Sequence, residues 1–62
     1  MPGGQGEVYV EFVVQGSVVK VTAIDPKSGV EAIVVGPANA SRAALSDAAV
    51  RKLAYVLNKR GK

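Results

Sequence analysis

Glu7-Val8-Tyr9-Val10-Glu11-Phe12-Val13-Val14-Gln15-Gly16-Ser17-Val18-Val19-Lys20-Val21-Thr22-Ala23 decides the fold. Val8, Val10, Phe12 and Val14 alternate with Glu7, Tyr9, Glu11, Val13 and Gln15, the period-two pattern of a strand with one buried face. Gln15-Gly16 breaks the run, and a second valine-rich strand, roughly Val18 to Asp25, follows. With Gln15-Gly16 as the loop of a tight hairpin, counting sets Phe12 opposite Val19, Val10 opposite Val21 and Val8 opposite Ala23 on one face. On the other it sets Glu11 opposite Lys20 and Val13 opposite Val18. A single register thus yields an apolar ladder and an opposite-charge pair, and a slip of one residue misplaces both.

Working outward, Asp25-Pro26-Lys27-Ser28-Gly29 reads as a turn: aspartate starts it, proline presets the next backbone angle, and glycine takes the left-handed conformation that closes it. Beyond it a third strand, about Val30 to Val35, joins the same face, with Ala23 facing Ala32 and Val21 facing Val34. Gly36-Pro37 is expected to end the sheet. From there the period changes. Leu45, Ala49, Leu53, Val56 and Leu57 recur every three or four residues and span an arc of roughly 120° at about 100° per residue, with Val50 widening it. Asn39, Ser41 and Ser46 are each suited to cap this helix, so a continuous helix from Ser41 and one that begins at Ser46 both remain open. Lys59, Arg60 and Gly61 mark its end.

The expected architecture is α+β: a three-stranded antiparallel meander in the order 1-2-3, followed by one C-terminal helix packed on one sheet face. Val8, Val10, Phe12, Val19, Val21, Ala23, Ala32 and Val34 are expected to bury against Leu45, Ala49, Leu53, Val56 and Leu57. Residues 7–60 form the domain, residues 1–6 read as a glycine-rich disordered leader, and residues 61–62 as a basic tail. At 62 residues without cysteine, the chain holds together by a small core alone, and its stability is expected to be marginal.

Composition narrows the chemistry. The absence of cysteine and histidine removes thiolate and imidazole metal sites together with the commonest general base. Ser17, Ser28, Ser41 and Ser46 fall in turns or near the helix start, where capping accounts for them. Glu7, Glu11 and Glu31 read as ordinary surface charges rather than an acid/base pair or a magnesium site. Gly3-Gly4-Gln5-Gly6 precedes a strand, whereas a phosphate-binding glycine loop follows one; Gly36-Pro37-Ala38-Asn39-Ala40-Ser41 runs from strand to helix but lacks the required lysine and glycine spacing. No catalytic residue, cofactor or metal is therefore assigned, and an enzyme is not expected. Met1 to Gly6 carry neither a basic run nor an apolar stretch, so a signal peptide and a membrane anchor are not expected and the cytoplasm is the default compartment.

Two surfaces are left as candidates. The sheet face opposite the helix has no second element to cover it, and Val13, Val18, Ile33 and Val35 are expected to form an apolar patch there, rimmed by Glu11, Lys20 and Gln15. Such a patch suits a homodimer or a protein partner, with Glu11 and Lys20 setting register or specificity. The second surface follows from charge. Lys20 and Lys27 against Glu7, Glu11, Asp25 and Glu31 leave residues 1–37 at net −2, whereas Arg42, Arg51, Lys52, Lys59, Arg60 and Lys62 against Asp47 leave residues 38–62 at +5. Arg51, Lys52, Tyr55 and Lys59 share the polar side of the helix and continue into Arg60, a stripe suited to gripping phosphates and stacking on a base. A solvated helix face accounts for the same pattern.

Val19-Lys20-Val21-Thr22-Ala23-Ile24-Asp25-Pro26, Ser28-Gly29, Gly36-Pro37 and Arg51-Lys52-Leu53-Ala54-Tyr55-Val56-Leu57 stand in an order and spacing that resembles a family of very short bacterial proteins, found mainly in alphaproteobacteria and classed as a domain of unknown function. The resemblance spans about residues 6 to 60. It implies a small free-standing bacterial protein and carries over no catalytic or binding residues. The function expected from the residues is a non-enzymatic interaction module, with nucleic-acid binding as the alternative.

Overall fold

Three strands, β1 (Tyr9–Gln15), β2 (Val18–Ile24) and β3 (Glu31–Pro37), form an antiparallel sheet in the order β1-β2-β3, and one helix, α1 (Arg42–Arg60), packs on it. The structure is a computed structural model that describes residues 7–60; the leader expected over residues 1–6 and the tail over 61–62 lie outside the described residues. The expected α+β meander-plus-helix architecture is the observed one.

The β2–β3 register is as the sequence predicts, with Val21 opposite Val34 and Ala23 opposite Ala32. Asp25 organises the turn between them. Its carbonyl accepts from the Gly29 N–H at 2.8 Å, its carboxylate accepts from the Ser28 hydroxyl at 2.7 Å, and its own N–H donates to the Val30 carbonyl at 2.9 Å. Gly29 takes a φ of 77°, the left-handed region where a side chain is strained.

The first hairpin corrects the sequence reading by two residues. Its loop is Gly16-Ser17 rather than Gln15-Gly16, so Phe12 pairs with Val21, Val10 with Ala23 and Val13 with Lys20, while Glu11 faces Thr22 instead of Lys20. Backbone geometry is the reason: Gly16 has a φ of 61° and, among the described residues, no non-glycine residue has a positive φ. This matches a type II′ turn, which wants glycine at its first central position. A Gln15-Gly16 loop would have placed glutamine there. Because the shift is even, every side chain keeps its predicted face.

Val19, Val21, Ala23, Ala32, Ala49 and Leu53 form the buried core, flanked by half-buried Val8, Val10, Phe12, Val30, Val34, Leu45, Val50 and Leu57. Val56, expected in the core, is half-buried and stands outside this cluster, while Val50 takes a place on it. Gly36-Pro37 does not end the sheet but completes β3, with Gly36 opposite Val19 and Pro37 opposite Val18.

Only residues 38–41 separate β3 from the helix, so α1 folds back over the strand it has just left and packs on β3 and β2. The helix is continuous from Arg42. The Ser41 hydroxyl accepts from the Ala44 N–H at 3.2 Å and its carbonyl from the Leu45 N–H at 3.1 Å, which makes Ser41 the N-cap and places Ser46 inside the helix.

Candidate interaction surface

Strand alternation and register lay out the face away from the helix as four rows across β1, β2 and β3: Tyr9-Ile24-Glu31, Glu11-Thr22-Ile33, Val13-Lys20-Val35 and Gln15-Val18-Pro37. The four valine and isoleucine residues singled out in the sequence do fall on one side of the sheet. Val13, Val18, Ile33 and Val35 expose 36%, 41%, 41% and 63% of their surface, amounts that leave them available to another chain.

Lys20 stands between Val13 and Val35 and next to Val18, so the patch is a ring of apolar positions around a lysine. Glu11 lies in the adjoining row on β1, diagonal to Lys20; the Glu11–Lys20 cross-strand pair expected from the sequence does not form. Tyr9, exposed at the far end of β1, and Pro37, beside Val18, extend the surface beyond the residues predicted. Pro37 was missed because the sheet was expected to end before it.

The basic side of α1 is less uniform than its sequence. Arg51 pairs with Asp47 at 3.4 Å, one helical turn away, and both side chains are exposed. The Lys59 ammonium lies 5.7 Å from the centroid of the Tyr55 ring, itself 63% exposed. Lys52 leaves the stripe altogether and donates to the Ile33 carbonyl at 2.8 Å, tying the helix to β3. Arg60 is the last residue of α1, and the role expected of its side chain lies outside the described residues. Arg42 sits over the Phe12 ring, 5.1 Å from its centroid, where β1 passes beyond the helix body.

A family model matches residues 5–60, almost the whole chain. The chain belongs to the family described as Domain of unknown function (DUF6898). Among the curated proteins and the solved structures, nothing matches it. Membership accords with the fold-wide span of the motifs and brings no site residues with it. Among the described residues there is no pocket and no group of three acidic, histidine or cysteine side chains, and no helix is long and apolar enough to cross a membrane.

Proposed function

We propose that this protein is a non-enzymatic interaction module of the bacterial cytoplasm that associates with a protein chain, another copy or a larger partner, through the sheet face opposite α1. One observation carries the reading: Val13, Val18, Ile33 and Val35 stand exposed on one side of a sheet that carries α1 on the other. Contact there removes apolar surface from water, and Lys20 inside the ring selects a partner that offers a carboxylate or carbonyl oxygen. The likeness of the turn and helix motifs to short alphaproteobacterial proteins supports a bacterial origin. Affinity purification from the native cells, with and without nuclease, compares wild type with Val18→Glu. Proteins retained by wild type after nuclease and lost by the variant are expected; identical capture by both, with a strict monomer at high concentration, would refute the reading.

A second reading is favoured by Tyr55, exposed with Arg51 one turn before it and Lys59 one turn after. Arg51, Tyr55 and Lys59 would then grip a nucleic-acid backbone without Lys52, which is engaged with β3, and binding would weaken steeply with added salt. No mobility shift at low salt would dispose of it.

A further inference from the structure

The two edges of the sheet are finished differently. Asp25 N–H donates to Val30 and Ala38 N–H donates to Ser17, so the odd-numbered positions along β2 direct their backbone groups at β3. Alternation then turns those of Val18, Lys20, Thr22 and Ile24 toward β1. On β1 their partners are the odd-numbered residues Gln15, Val13, Glu11 and Tyr9. The N–H and C=O groups of Val10, Phe12 and Val14 therefore point outward, and among the described residues nothing bonds them.

The β3 edge, whose outward groups are those of the odd-numbered residues from Glu31 to Pro37, is guarded in part. Lys52 caps the Ile33 carbonyl, Pro37 has no N–H to offer, and the Pro37 carbonyl accepts from the Ala40 N–H at 3.0 Å. Lysine and proline are devices that keep an edge strand from pairing. β1 has neither, and its helix-side face is only partly covered: Val10 and Phe12 are half-buried, Arg42 of α1 lies over the Phe12 ring, and Val14 is 53% exposed.

We infer that β1 pairs antiparallel with β1 of a second copy of this chain, joining two sheets into one of six strands. The outward backbone groups pair even-numbered residues with even-numbered ones, which allows a two-fold register centred on Val10, Glu11, Phe12 or Val13. A centre on Val13 leaves Tyr9 and Val10 without a β1 partner. A centre on Glu11 sets two carboxylates face to face, and a centre on Val10 leaves Val14 without a β1 partner. With Phe12 on the axis, all of β1 is used. Phe12 meets the partner's Phe12, Val10 meets the partner's Val14, and Glu11 meets the partner's Val13. The exposed Val14 is thereby covered, and both open sheet faces remain on one side of the assembly. The occupant is a second copy because β1 is self-complementary about Phe12: valine answers valine on the helix side, and the single charge of the strand is offset from its own image.

Sedimentation equilibrium on the full chain from micromolar to millimolar concentration tests this, with far-ultraviolet circular dichroism as the check on folding. A dimer is expected for wild type and for Val14→Thr, which keeps a β-branched residue. Val14→Lys is expected to raise the dissociation constant at least about tenfold. In wild type, the amides of Val10, Phe12 and Val14 should gain exchange protection as concentration rises, a readout that does not depend on the variant folding. A strict monomer at millimolar concentration would overturn the inference. So would a dimer that survives Val14→Lys and dissociates with Val35→Glu, an outcome that would move the contact to the open face.

Discussion

Gly36 lies against Leu45 of α1, and a methyl group there would stand 2.7 Å from a terminal carbon of that leucine. Leu45 is half-buried and able to give a little, so the cost of filling the space grows with the size of the added side chain. Gly36→Val is expected to destabilise the fold by about 1–3 kcal/mol, as overpacking does, measured by urea denaturation. A second residue-scale effect belongs to Asp25, whose carboxyl is held below the usual carboxylate range chiefly by the Ser28 hydroxyl, helped by nearby backbone N–H groups and the charge of Lys27. A depressed value in the folded state means that this contribution to stability is complete above the unfolded pKa, near about 4, and is lost as pH falls through the folded value. The amides of Asp25, Lys27, Gly29 and Val30 should therefore stay protected down to about pH 4 and loosen below it. Ser28→Ala should raise the Asp25 titration midpoint in a carboxyl NMR titration; an unchanged midpoint would contradict the assigned cause.

Among the elements, α1 does more than cover the core, because Lys52 reaches past its apolar face to the backbone of β3. Removing that cap frees one more outward carbonyl on a partly guarded edge. Lys52→Ala is expected to leave the circular dichroism spectrum near that of wild type and to add species larger than a dimer in sedimentation velocity, since each dimer would then carry two open β3 edges. A dimer distribution unchanged by the substitution would show that Pro37 and the Ala40 contact suffice. The hairpins illustrate how far element-level reading goes. The β2–β3 turn was legible because Asp25, Pro26 and Gly29 each have a distinct backbone role there. The β1–β2 register was displaced by two residues, and its turn by one, because an apolar ladder survives any even shift; only the positive φ of Gly16 fixes which pair forms the loop.

For the whole molecule, stability rests on six buried residues, with Leu53 and Val21 the largest fully buried side chains. A domain of this length has on the order of 3–8 kcal/mol in hand, and a buried Leu→Ala change costs about 2–5 kcal/mol. Leu53→Ala is therefore expected to leave the chain largely unfolded at room temperature, read as loss of the cooperative thermal transition. The sequence by itself determined the number and order of the strands, the face on which each side chain lies, and the four valine and isoleucine residues of the open patch. Alternation and periodicity are local properties that survive any packing. The tertiary structure alone decided where α1 rests. A link of residues 38–41 returns the helix over β3 and β2, which moves Val56 out of the core cluster, draws Lys52 to the β3 edge and leaves Val14 uncovered on β1. The strands carry their faces in their composition, whereas edge accessibility depends on which strand the helix happens to cover.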